Sequence, residues 1–364
     1  MGDVDRDAVV EPLARLGWDD GWAADFEAYE QRGLTAVRVV AVDRGAVDLM
    51  GADGQARATF GGDLLAALAH DPVAGPCSGD WGGLARWPDG RTTLEVLLPR
   101  RTAVVRAAAT GESRGQVLAA NVDDVLVTVS LDAEPNLDRV ERLVALAWES
   151  GAQPVIVLTK ADLVGDAEYI AADVLAAAPG VTVLVVSAVT GEGMDRLAEL
   201  AAPGRTLALL GQSGVGKSTL VNALSGQESV LVSDIGARGK GRHTTVRREL
   251  VPLPGGALLL DTPGLRGVGV FDVNEGLEKA FPEIEALAEQ CRFADCSHNS
   301  EPGCAVLLAV EDGTLPERRL ESWRRLAREA RWIATRGDAR ARNEARRKWV
   351  IMTKANRKPG VVRP

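Results

Sequence analysis

Long apolar runs are missing from this chain of 364 residues, and no uninterrupted stretch approaches the ~20 residues that a helix needs to cross a bilayer. A secretory leader is missing as well. The first thirty residues hold nine carboxylates against Arg6 and Arg15, where a leader would have a basic start and an apolar centre. Both absences predict a cytoplasmic protein with no membrane partner. Cysteine is scarce: of four in all, Cys291, Cys296 and Cys304 cluster and Cys77 is remote. That is no disulfide framework, and in a cytosolic protein it favours a metal. Internal repeats and low-complexity tracts are absent too, which excludes solenoid and tail-like architectures.

What is present is ordinary for a soluble globular protein, with 46% apolar and 26% charged residues. At about 150 residues per domain the length predicts two or three domains, and a monomer is the expected state. The net charge of −9 hides an asymmetry. Residues 317–364 hold 16 Lys and Arg against 5 Asp and Glu, a net of +11 that leaves −20 for the rest. A basic terminus on an acidic body can still grip an anionic polymer.

Four regions are predicted. Residues 1–33 are an acidic extension of helical character containing Trp18 and Trp22. Residues 34–120 alternate short β-like runs with glycine-rich turns, which suggests a small β-barrel of the oligonucleotide-binding type. Residues 121–272 alternate buried strands with helices, the pattern of a parallel α/β sheet. Residues 273–364 carry the cysteine cluster and then helices. There Leu320, Trp323, Ala327 and Ala330 form an apolar stripe, so Trp323 reads as core before it reads as a base-stacking platform.

The run Gly211, Gln212, Ser213, Gly214, Val215, Gly216, Lys217, Ser218 and Thr219 follows an apolar strand and opens a helix, the context a phosphate-binding loop requires. Its glycines let backbone N–H groups close around phosphates, Lys217 would reach the β- and γ-phosphates, and Ser218 would ligate magnesium. Asp261 ends a strand before Thr262, Pro263 and Gly264, which suits an aspartate holding magnesium through water and a Gly264 N–H offered to the γ-phosphate. A glycine-rich turn without a ligand is the plain alternative.

Thr159, Lys160, Ala161 and Asp162 follow another buried strand. Asp162 would accept from the guanine ring N–H and amine while the Lys160 stem stacks on the base. Adenine lacks that donor pair, and leaving a buried carboxylate part-paired costs about 1–3 kcal/mol. Ser187 and Ala188, on the next strand end, would supply a backbone N–H to the guanine oxygen. A chance Lys-x-Asp at a strand end is the alternative. Residues 236–245 are basic and glycine-rich, suited to a switch, with Thr244 or Thr245 as a magnesium ligand. Leu265 stands where many such folds have a water-orienting glutamine, so His243 is the candidate to position water, a surface histidine being the alternative.

Cys291, Cys296, His298 and Cys304 offer three thiolates and an imidazole within fourteen residues. Four ligands with no open position describe one structural zinc ion; buried free cysteines are the alternative.

In the usual guanine-nucleotide fold the phosphate loop opens the domain and the base-reading motif closes it. Here the order is exchanged, which indicates a circularly permuted P-loop GTPase domain joined through residues 201–204. With the runs 75–81, 98–102, 116–123 and 241–245, this order and the cysteine–histidine spacing resemble the RsgA (YjeQ) family of small ribosomal subunit biogenesis GTPases. The resemblance covers nearly all of the chain beyond the acidic start. It implies an oligonucleotide-binding barrel, a permuted GTPase centre and a zinc-binding helical domain, acting on the small (30S) ribosomal subunit and its rRNA and leaving after GTP hydrolysis to GDP. The departures are Thr159 for asparagine and Val246 where a third threonine is frequent. Two rivals stand beside it: a non-catalytic RNA-binding assembly factor that uses GTP only as a switch ligand, and an ATP-using enzyme with a degenerate base motif.

Overall fold

The β-branched run at 35–42 forms strand β1 (Thr35–Asp43) of the computed structural model, which describes residues 11–106, 116–226, 249–261 and 274–337. Helix α1 (Asp20–Glu30) precedes it, capped by Asp19, whose side chain accepts from Trp22 N. Strands β2 (Ala46–Gly51), β3 (Gly54–Phe60), β4 (Trp81–Arg86) and β5 (Thr92–Leu97) follow. They close in the order β1-β2-β3-β5-β4-β1, with β3 and β5 parallel and every other pair antiparallel. That is the five-stranded barrel the alternation predicts. Helix α2 (Gly62–His70) links β3 to β4 and puts Leu64 into a core of Val37, Val39, Leu49, Leu84 and Leu94. Cys77 is buried beside Val117 and Ala120, in keeping with its reading as a small core residue of the β-rich region.

A hairpin of β6 (Ala103–Arg106) and β7 (Gln116–Ala120) leads out of the barrel. Then β8 (Asp124–Ser130), α3 (Leu137–Glu149), β9 (Gln153–Thr159), α4 (Ala167–Ala177) and β10 (Thr182–Val185) alternate. They continue into α5 (Met194–Leu200), β11 (Thr206–Leu210), α6 (Lys217–Ser225), β12 (Glu249–Pro252) and β13 (Leu258–Asp261). The sheet order is β10-β9-β8-β11-β13-β12, parallel except for β12. Strand β11, fourth of the six in the chain, sits inside the sheet between β8 and β13, with Leu207 opposite Asp124 on one side and Leu259 on the other. The strands that follow it in sequence therefore fill one side of the sheet, and those that precede it fill the other. The joint at 201–204 is a turn in which Gly204 N donates to Gly256 O at 2.9 Å.

The barrel and this sheet are hydrogen-bonded to each other, because β1 pairs antiparallel with β12 at Ala41 and Glu249. Arg38 closes the same seam. Its guanidinium donates to Gly79 O at 3.2 Å, Asn121 O at 3.1 Å, Thr206 Oγ1 at 2.9 Å and Leu16 O.

The C-terminal helices are α7 (Asn274–Ala280), α8 (Pro282–Ala288), α9 (Ala305–Glu311) and α10 (Glu317–Gly337). They dock on α3. Arg319 Nη1 donates to Glu141 Oε1 at 2.8 Å, its Nε to Glu283 Oε1 at 2.6 Å, and Ser322 Oγ donates to Glu141 Oε2 at 2.5 Å; Arg319, Glu141 and Ser322 are buried and Glu283 is half-buried. Trp323 lies in that core, as its place on the apolar stripe predicts. Among the described residues no helix is long and apolar enough to cross a membrane.

Candidate nucleotide site and zinc centre

The phosphate loop spans the six residues between the end of β11 and the start of α6. Gly214 at φ 87° and Gly216 at φ 91° take left-handed conformations that a side chain would strain, so glycine at these two places is a backbone requirement. Gly211 is confined differently: a Cβ there would fall 2.6 Å from Thr128 O of β8. Lys217 Nζ donates to Gly211 O at 2.8 Å and to Gln212 O, folding over its own loop. Ser218 and Thr219 occupy the first turn of α6, whose N-terminal end faces the loop. Gln212, Ser213 and Gly214 are exposed and Val215 is buried.

The end of β9 meets that loop directly. Thr159 Oγ1 donates to Val215 O at 2.6 Å, and the hydroxyl is 3.6 Å from where a Cβ on Gly216 would lie. Threonine, standing where the family has asparagine, thus ties the end of β9 to the loop by a short, buried hydroxyl bond. Lys160 adopts φ 60°, and Ala161 N donates to Val186 O at 3.2 Å, which ties this turn to the end of β10. Asp162 Oδ1 accepts from Ser187 Oγ at 2.5 Å. That hydroxyl in turn accepts from Val189 N at 3.3 Å and Thr190 N at 3.2 Å. Ser187 N donates to Glu192 O at 2.9 Å. The sequence suggested a backbone donor at 187–188; it did not reveal that the Ser187 side chain orients the Asp162 carboxylate.

Strand β13 carries Asp261 at its C-terminal end and runs parallel beside β11, Leu260 opposite Ala208, so its end reaches the same rim of the sheet as the loop. The other predicted phosphate and magnesium residues, His243, Thr244, Thr245 and Gly264, lie outside the described residues. A cavity of about 330 Å³ opens beside the loop, lined by Gln212, Ser213, Gly214, Ser130, Asp132 and Arg139 among others.

The second centre forms where α8 gives way to α9. Cys291 follows α8, Cys296 and His298 sit in the connecting turn, and Cys304 caps α9, its Sγ accepting from Leu307 N at 3.5 Å. His298 takes φ 55°, a left-handed turn that brings its ring between the thiols. The Sγ atoms of Cys291 and Cys304 are 3.8 Å apart, and His298 Nδ1 lies 3.6 Å and 3.4 Å from them. With Cys296 included, all four donor atoms lie within 4.8 Å of one another. A tetrahedral zinc with Zn–S of about 2.3 Å needs thiolates about 3.8 Å apart, so the donor set fits the ion in size and chemistry. Trp323 meets the His298 ring edge-on at 5.3 Å between centroids, and Arg324 Nε donates to His298 O at 3.1 Å, so α10 braces the ligand turn.

Sequence reasoning did not single out Arg38, Glu141, Arg319 or Asp132. Burial pushes the Arg38 guanidinium down to about 10, countered by Asp123 and Asp80 at a distance. Burial likewise raises the Asp80 carboxyl, against Arg100, whose Nε donates to it at 2.7 Å.

Comparison with known proteins agrees with this geometry. Residues 97–271 match the RsgA GTPase family. A Streptomyces coelicolor protein named small ribosomal subunit biogenesis GTPase RsgA is 54% identical over 93% of this chain and 92% of its own length. Its Opitutus terrae namesake is 42% identical over 93% and 95%. The crystal structure of YjeQ from Thermotoga maritima superposes with a TM-score of 0.61 at 25% identity, covering 82% of this chain and 98% of that one. YloQ, described as a circularly permuted GTPase, shares the fold with a TM-score of 0.58 at 22% identity, covering 82% and 95%. With its motif order, its sheet and these relatives in agreement, the chain belongs to the RsgA GTPase family.

Proposed function

We propose that this protein hydrolyses GTP during maturation of the small ribosomal subunit, binding the subunit's rRNA through its barrel and basic C-terminal helices and leaving after hydrolysis. The observation that carries the nucleotide part is the bond from Thr159 Oγ1 to Val215 O, which joins a guanine-reading turn to a phosphate loop across the permuted sheet. In this reading the amides of residues 212–219 and the Lys217 ammonium, released from its loop carbonyls, hold the phosphates. Ser187 presents Asp162 to the guanine N–H and amine. The N–H of Ala188 meets the guanine oxygen, since that of Ser187 is engaged by Glu192.

Ser218 and Asp261 would hold magnesium with Thr244 or Thr245, and the ion, when bound, would neutralise charge on the phosphate oxygens. His243 is the candidate to orient the attacking water, and Gly264 to donate its N–H to the γ-phosphate. Bond breaking then proceeds by in-line water attack, with Lys217 and the loop amides meeting the charge that develops. Cys291, Cys296, His298 and Cys304 would hold a structural zinc that fixes the turn between α8 and α9. Charged residues meeting rRNA phosphates give a contact that weakens as salt rises. A cytoplasmic monomer suits these roles.

Multiple-turnover GTP hydrolysis with and without purified small and large subunits tests the proposal. Turnover stimulated by small subunits is expected; no turnover in any condition would leave a nucleotide-switched binding factor. Asp162→Asn should erase preference for GTP over ATP, and a preference left unchanged would remove Asp162 from base recognition.

A further inference from the structure

Asp132 lies just beyond β8 and belongs to none of the motifs above. Its carboxylate is gripped from two sides: Oδ2 accepts from the Lys160 ammonium at 2.5 Å and Oδ1 from the Ser130 hydroxyl at 2.6 Å. Those two donors, Lys160 first, hold its carboxyl below the usual range. Asp132 also lines the cavity beside the phosphate loop, so it stands where the base-reading turn and the loop approach each other.

Lys160 needs such a partner. It sits at φ 60° in a left-handed turn between β9 and the short helix Ala161–Leu163, so its backbone belongs to no regular element that would set the direction of its stem. Four rotatable bonds and a side chain 29% exposed leave the stem many positions. A lysine that stacks on a purine must lie flat along the ring, and an anchored ammonium holds it so. Ser130 completes the device by fixing the orientation of the anchoring carboxylate.

We propose that Asp132 is a positioning residue for the purine base: it holds the Lys160 ammonium so that the lysine stem forms the stacking face, and thereby raises affinity for GDP and GTP. The inference rests on the guanine-nucleotide reading of this site. It differs from the role of Asp162 in a measurable way. Stacking on an alkyl stem is indifferent to the exocyclic amine, so Asp132 acts equally on guanine and hypoxanthine, whereas Asp162 distinguishes them.

The test is direct binding of ribose-labelled fluorescent GDP and IDP to the full chain. Binding of GDP by the wild type checks the underlying reading; if none occurs, that reading fails whatever Asp132 does. Asp132→Ala should weaken GDP and IDP alike by about fivefold, the most that a partly exposed ion pair usually provides. In turnover the loss should appear in KM and not in kcat. In a Lys160→Met background, which keeps a stem without a charge, adding Asp132→Ala should cost nothing further. Ser130→Ala, which loosens one carboxylate oxygen only, should give a smaller loss that also vanishes in that background. Wild-type GDP affinity in Asp132→Ala, or a loss that persists with Lys160→Met, overturns the proposal.

Discussion

Two buried arginines close the two seams of this molecule, and they are neutralised in opposite ways. At the seam between nucleotide sheet and C-terminal helices, Arg319 meets the carboxylates of Glu141 and Glu283 and packs over Phe281 at 4.2 Å. At the seam between barrel and nucleotide sheet, Arg38 pairs with no carboxylate among the described residues. It is held by carbonyls at Leu16, Gly79 and Asn121 and by the Thr206 hydroxyl, with Trp81 beneath it at 5.3 Å. The first arrangement sets two carboxylates against the cation beside the carbonyls of Ala177 and Ala280, and losing the arginine leaves Glu141 buried with Arg318 and Ser322 alone. The second gathers three backbone carbonyls and one hydroxyl from four segments, so what it enforces is shape, and its loss strands only neutral acceptors.

The contrast is tested most severely at the candidate zinc site, whose turn α10 braces; among the described residues the other seam has no such cluster. Chelation should unravel residues near 291–304 and loosen α10, since structural zinc is worth on the order of 10 kcal/mol to small domains, while GDP binding persists. Far-UV circular dichroism and limited proteolysis read this out; an unchanged digest would mean that the Arg319 seam alone holds the helices. Next in size, Arg319→Met should cost about 3 kcal/mol in urea unfolding, because Glu141 stays buried with only Arg318 and Ser322 against it. Adding Glu141→Leu should recover much of it. Arg38→Met should cost less, about 2 kcal/mol, as the orphaned carbonyls are partly offset by removing a buried cation. If Arg38→Met proved the more damaging, the contrast between the seams would be wrong. Smallest of all, Thr159→Val removes a single hydroxyl tie and should weaken GDP binding by about fivefold, the net worth of one hydrogen bond.

How much of this was legible in the sequence follows from the range of each interaction. Strand β11 and helix α6 appear in the sequence at 206–210 and 217–225, because period and glycine placement are local signals. The four zinc-binding candidates lie within fourteen residues, so spacing alone found them, and the structure brings all four together. The partners of Arg38 are 22 to 168 positions away, and Glu141 is 178 from Arg319. No local pattern marks them, so neither arginine stands out in the sequence. Backbone strain gives a different clue. Among the described residues, Asn121, Lys160 and His298 have positive φ without being glycine. One borders the Arg38 seam, one lies in the base-reading turn and one is a zinc candidate, places where a strained backbone is held by what surrounds it.

The pairing of β1 with β12 has a consequence for solubility. An open sheet has two edges, each a row of unpaired backbone groups on which another chain can template itself. One edge here is β10, four residues long. The other would be β12, and the barrel covers it at Ala41 and Glu249. Cutting the barrel away to obtain a minimal nucleotide domain would therefore uncover a second unpaired edge, and such a fragment should self-associate more readily than the whole chain.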